Sequence, residues 1–131
     1  MINMTTEISL VVLYNKEKKL LLQNRKTISK FGEEWAFFGG KLEKEESPED
    51  AIKREIKEEL NYNIFNYKYV KKFKNKVNGS IIHVFTAPFS GDLTQFTLRE
   101  GDGMKLFSIK EYKKLKLIPG TRMPEILDEL F

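Results

Sequence analysis

Residues 39–60 read "GGKLEKEESPEDAIKREIKEEL", eight acids among twenty-two residues of a chain whose formal net charge is +4. Ser47 suits a helix N-cap and Pro48 the first helical position, and Glu49 and Asp50 set negative charge on the positive end of the helix dipole. Ile52, Ile56 and Leu60 recur every fourth residue beside Ala51, which predicts a helix over 48–60 with one apolar stripe. Asn61 then tolerates the left-handed conformation that closes a helix. On that helix Glu55, Glu58 and Glu59 stand at i, i+3 and i+4, so three carboxylates leave neighbouring points of one face. Lys53, Arg54 and Lys57 are interleaved with them, which on the helix alone reads first as a solvated charged surface. A divalent cation would turn the repulsion among such acids into attraction, and Mg²⁺ takes hard oxygen ligands together with phosphate oxygens.

The loop ahead of the helix decides between these readings. From Gly40 the order is glycine, five residues, Glu46, seven residues, then Arg54-Glu55-Ile56-Lys57-Glu58-Glu59. This spacing resembles the signature box of the Nudix hydrolase family, with each fixed charged position filled. Asn61 stands where that family usually has glycine, Tyr62 where it has an aliphatic, and Phe38 where proline is common; none of these removes a catalytic group. The similarity extends to "LLLQNRK", "WAFFGGK" and "LREGDGMKLFSI", and so to roughly residues 7–118.

The resemblance implies roles. Glu55, Glu58 and Glu59 would ligate metal, with the Gly39 carbonyl as a further donor, and Glu46 and Arg54 would steer those carboxylates. The general base would come from Glu58, Glu59 or a distant loop, where Glu100 and Asp102 are candidates; a simple turn accounts for "REGDG" equally well. Arg25, at a strand end, is a candidate phosphate contact, and Lys41 a further substrate contact. Trp35, Phe37 and Phe38 lie just before the box and offer a stacking face to a base, although core packing is the commoner fate of such aromatics.

Outward from this region, Ile8–Tyr14 is nearly unbroken apolar and predicts a buried strand, followed by a turn at "NKEKK" and a second strand "LLLQNR". Residues 26–34 read as a loop. "NIFNYKYVKKFKNKV" and "SIIHVFTAPF" predict two long strands joined at Asn78-Gly79, a dipeptide favouring tight hairpin turns. "MKLFSI" predicts a short strand, and "IKEYKKLK" and "TRMPEILDELF" helical segments. His83, inside "IIHVF", reads as a hydrogen-bonded strand residue. Lys68, Lys71, Lys72, Lys74 and Lys76 read first as protection of an edge strand and second as attraction for anionic nucleotides.

Composition bounds the rest. A chain of 131 residues with 40% hydrophobic residues suits one domain, residues 1–131. No cysteine and one histidine exclude disulfides, thiolate chemistry and multi-histidine zinc, so any metal is held mainly by oxygen. No apolar run approaches the roughly 20 residues that cross a bilayer, and the expected compartment is the cytoplasm. The expected fold class is α+β, a Nudix-like α/β/α sandwich around a central mixed β-sheet. The expected function is Mg²⁺-dependent hydrolysis, with Mn²⁺ as substitute, of a phosphoanhydride in a nucleoside diphosphate linked to X. A nucleoside triphosphate giving monophosphate and pyrophosphate is the first choice, ADP-ribose or a nucleotide sugar the alternative, and a catalytically silent nucleotide-binding domain the further one. The expected partner is a small nucleotide, with no stable nucleic-acid partner, no membrane, and a monomeric or homodimeric state.

Overall fold

The computed structural model describes residues 5–25, 34–99, 103–115 and 127. The helix anticipated from the acidic stretch is α1, Pro48–Leu60. The Ser47 side chain accepts from the Asp50 backbone N–H, and Asn61 closes the helix at φ 50° with its N–H donating to the Lys57 carbonyl. Ile52, Ile56 and Leu60 are fully buried, each contributing roughly 1.5–3 kcal/mol of burial energy.

The sheet is mixed. Its strands are β1 (Glu7–Tyr14), β2 (Leu20–Asn24), β3 (Trp35–Ala36), β4 (Phe38–Lys41), β5 (Lys68–Lys74), β6 (Ile81–Pro88) and β7 (Met104–Phe107). The order is β3-β2-β1-β6-β5, with β4 also pairing β1 and β7 also pairing β2. β1 runs parallel to β6 over its whole length, from Glu7↔Ile81 to Tyr14↔Pro88, and antiparallel to β4 from Ile8↔Lys41 to Val11↔Phe38. A short helix α2, Ile109–Tyr112, follows β7 and carries a capping box between Ser108 and Glu111.

Alternation along the strands sorts side chains between two cores. Val11, Leu13, Leu21, Phe38 and Phe85 meet the stripe of α1 on one face. Leu10, Val12, Leu20, Leu22, Phe37, Ile82 and Val84 pack with Phe107, Tyr112 and the helical Leu127 on the other. The result is an α+β sandwich around a mixed sheet.

Four local readings differ from expectation or fall outside the described residues. The strand foreseen from residue 63 begins at Lys68, because Asn66 adopts φ 48°, and it is interrupted by a bulge between Tyr69 and Lys71. Its connection to β6 is not a two-residue turn at Asn78-Gly79: Lys74 pairs with Ile81 and six residues intervene. The Asn75 side chain forms that wider loop by accepting from the Val77 N–H at 2.8 Å, while Gly79 takes φ 78°. Of the expected C-terminal helix only Leu127 lies among the described residues, and the loop expected at 26–34 is described only at Glu34. β5 ends the strand order, as the lysine pattern suggested.

Candidate active site

The site is built where β4 passes the acidic side of α1. Gly39 pairs with Leu10 and Gly40 with Ser9, which draws the β4 backbone tightly onto β1. Gly39 adopts φ 153°, and a Cβ there would stand 2.0 Å from the Ser9 carbonyl oxygen. A Cβ on Gly40 would stand 2.4 Å from the Glu55 carboxyl carbon, so the missing side chain is the space that the Glu55 carboxylate occupies.

Arg54 organises the acids around this point. Its Nε and Nη2 donate to the two oxygens of Glu46 at 2.9 Å each. Its Nη1 donates to Glu55 Oε1 at 2.8 Å and to Glu58 Oε2 at 3.3 Å, and Nη2 also reaches the Lys41 carbonyl at 3.0 Å. The Arg54 hydrogen bond, helped by the Glu43 backbone N–H, lowers the Glu46 pKa to about 2. Reciprocally the Arg54 pKa is raised, chiefly by its bond to Glu46. Glu46, in the loop of the box, and Arg54, eight residues on, are thus one ionic unit fixed charged at neutral pH.

Glu55 is mostly buried and Glu58 mostly exposed at the side chain. Glu59 is buried at 6% exposure, and its backbone carbonyl accepts from Arg99 N–H at 2.9 Å. Among the described residues no three acidic or histidine side chains close into a cation cage. The donor set is nevertheless all oxygen, carried on a rigid helix and opening outward at Glu58. That suits a hard divalent cation, which binds through carboxylates together with waters and substrate oxygens. The group fits the residues present, and Glu55, Glu58 and Glu59 are those that would hold it.

A cleft of about 260 Å³ opens on the other side of Gly39 and Gly40. Ile8, Leu10, Phe37 and Ile82 form its apolar wall, with Arg25, Asn75 and Asn78 as its polar members. Arg25 and Phe37 therefore share one cleft with Gly39. Phe37 is also core, buried at 5% and tilted against Tyr112. Trp35 packs edge-on against Phe107 at 4.8 Å between centroids and does not line this cleft. The Lys41 side chain is exposed. Glu100 and Asp102 lie outside the described residues. Asn75 and Asn78 were not foreseen as cleft residues: Asn75 falls within the stretch expected to be a strand from residue 63, and Asn78 reads only as half of the Asn78-Gly79 turn.

His83, away from this site, is buried and hydrogen-bonded on both nitrogens, Nδ1 with Tyr69 Oη and Nε2 with Glu7 Oε1, each at 2.8 Å. It is the satisfied strand histidine that its apolar neighbours suggested.

A family model described as NUDIX domain matches residues 4–128 of this sequence. The chain belongs to the NUDIX domain family. Members of this family generally depend on a divalent metal. The chain is 36% identical over 72 residues to CTP pyrophosphohydrolase of Escherichia coli (strain K12), an alignment covering 55% of this chain and 53% of that protein. It is 38% identical over 53 residues to 8-oxo-dGTP diphosphatase of Proteus vulgaris, covering 40% of this chain and 47% of that one. The alignments thus span about half the length of the curated relatives. A solved structure of MutT, from work on Aliivibrio salmonicida and Vibrio cholerae, superposes with a TM-score of 0.77 at 22% identity, covering 98% of this chain and 100% of that one. That likeness shows the Nudix fold. Among the described residues no helix of this Nudix chain is long and apolar enough to cross a membrane.

Proposed function

We propose that residues 1–131 act as one Nudix hydrolase domain that cleaves a phosphoanhydride of a nucleoside triphosphate, releasing nucleoside monophosphate and pyrophosphate. The observation that carries this reading is the Arg54 guanidinium gripping Glu46, Glu55 and Glu58 beside the side-chain-free Gly40. Such an arrangement holds like charges together at one place, which an idle surface has no reason to do.

In this reading Glu55, Glu58 and Glu59 hold the cation, Mg²⁺ by preference and Mn²⁺ as substitute, with the Gly39 carbonyl beside them. A bound divalent ion would lower the pKa of an attacking water and offset charge on the diphosphate. Glu46 and Arg54 keep the ligand carboxylates aimed, the function that residues behind metal ligands usually serve. Arg25 contributes a fork of donors for phosphate, and Lys41 a mobile positive charge. Phe37, which lines the cleft, is the aromatic placed to meet the base there, while Trp35 packs against Phe107 outside it. The proton of the attacking water goes to Glu58, Glu59 or Glu100. No nucleophilic side chain takes part, so no covalent intermediate forms.

The resemblance to a CTP pyrophosphohydrolase puts CTP first among substrates to try, with 8-oxo-dGTP, ADP-ribose and a nucleotide sugar completing the panel. Each is incubated with the protein, with and without Mg²⁺, and the products are separated by anion exchange. Metal-dependent release of monophosphate and pyrophosphate from a triphosphate is expected. No metal-dependent product from any substrate would overturn the reading in favour of a silent nucleotide-binding domain.

A further inference from the structure

The loop joining β5 to β6 forms one rim of the cleft and has an unusual polarity. Asn75 is buried at 3% exposure yet lines the cleft. Its Oδ1 accepts from the backbone N–H of Val77 at 2.8 Å and of Asn78 at 3.4 Å. Asn78, on the exposed rim, has its Oδ1 accepting from the Ser80 N–H at 2.9 Å and the Ser80 hydroxyl at 2.7 Å. A backbone N–H can only donate, so these bonds fix which end of each amide is oxygen. Both carbonyl oxygens are consumed inside the loop, and neither amide nitrogen has a partner among the described residues. The backbone locks the loop as well, through Asn75 N–H to the Ser80 carbonyl and Gly79 N–H to the Asn75 carbonyl, each at 2.8 Å. The remaining polar member, Arg25, also carries only donors on its side chain.

We propose that Asn75 and Asn78 select the base of the nucleotide, presenting a donor-only rim that takes a base edge with two adjacent acceptors and rejects adenine. This rests on the hydrolase reading above and names the substrate class within it. Cytosine offers N3 and O2 side by side, and guanine offers O6 and N7. Adenine places its N6 amino donor next to both N1 and N7, so a donor would face a donor wherever two contacts are made. The apolar wall of Ile8, Leu10 and Ile82 holds the ring but cannot tell one base from another.

Asn→Asp tests this with little change of shape. In Asn75→Asp one carboxylate oxygen still accepts from Val77 and Asn78, while the other replaces the amide donor with an acceptor. Asn78→Asp, on the exposed rim, repeats the exchange where folding is least at stake. The readout is the ratio of kcat/KM for CTP or GTP to that for ATP, in which any general repulsion of phosphate by the new charge cancels. The wild-type ratio is expected at roughly 10- to 100-fold, the discrimination of one good two-point contact, and each variant is expected to bring it toward one. Equal use of ATP by the wild type, or variants that slow all nucleotides by the same factor, would overturn the proposal. If no nucleotide is hydrolysed at all, the hydrolase reading fails, and calorimetric binding of CMP, GMP and AMP without metal decides base selection by itself. Preference for CMP and GMP that the Asp variants lose supports it, and equal binding of AMP overturns it.

Discussion

Arg54 and Glu46 face one another as a two-pronged ion pair, Nε to Oε2 and Nη2 to Oε1, both at 2.9 Å. A planar fork meets a planar carboxylate, a geometry that a lysine ammonium cannot reproduce. Arg54→Lys therefore keeps the charge and loses the alignment of Glu46, Glu55 and Glu58 together. The expected result is a far-ultraviolet circular dichroism spectrum like that of the wild type, with affinity for Mn²⁺ reduced roughly 10- to 100-fold. Unchanged affinity would mean that Arg54 does not position the ligands.

The same pair sets an acid-stability signature. Glu46 has its folded pKa lowered from 4.5 to about 2, with the Arg54 hydrogen bond as the main cause. Its contribution is fully present above pH 4.5 and is lost as pH falls toward 2. Asp92 and Glu111 are also lowered, by hydrogen bonds from the Thr94 side chain and the Ser108 backbone, and add to the slope. Thermal melts of the wild type should drop through this window, and Glu46→Gln should show a shallower fall. Identical slopes would remove the pair from the account of acid stability.

The two glycines of β4 should fail differently. Gly39→Ala forces a Cβ to 2.0 Å from the Ser9 carbonyl and strains a φ of 153°, so it should lower stability through the β1–β4 pairing. Gly40→Ala instead meets the Glu55 side chain, which swings aside more cheaply than backbone. It should fold and lose metal-dependent turnover. Chemical denaturation alongside activity separates the two outcomes, and equal stability loss in both would contradict the assignment of Gly40 to the Glu55 carboxylate.

At the start of α1 the Ser47 hydroxyl accepts from Asp50 N–H at 3.1 Å. Ser47→Ala should cost about 1 kcal/mol in urea denaturation, the usual price of an N-cap. Because the helix carries the proposed ligands at its far end, kcat should change little at temperatures where the variant is folded.

What the sequence made legible was local. Ser47, Pro48, the Ile52-Ile56-Leu60 stripe and Asn61 each act within a few residues, so the bounds of α1 could be read directly, as could the spacing of Glu46 and Arg54. Pairings at long separation could not. Nothing local to Val11 says that it lies between Phe38 and Phe85, one antiparallel and one parallel. Phe37 and Phe38 looked alike as neighbours, yet strand alternation sends them to opposite cores. Asn75 read as the end of a strand, whereas its side chain shapes the loop that follows; only its meeting with Ile8, Leu10 and Arg25, far away in sequence, makes it part of a cleft.

The central claim is that Glu55, Glu58 and Glu59 grip a divalent cation. Titration of Mn²⁺ into the protein, with free ion followed by electron paramagnetic resonance, tests it without any assumption about substrate. The wild type should deplete the free signal, and Glu59→Gln and Glu55→Gln should each weaken that uptake at least about 10-fold while keeping their thermal transitions. No uptake by the wild type, or equal uptake by the variants, would contradict the account.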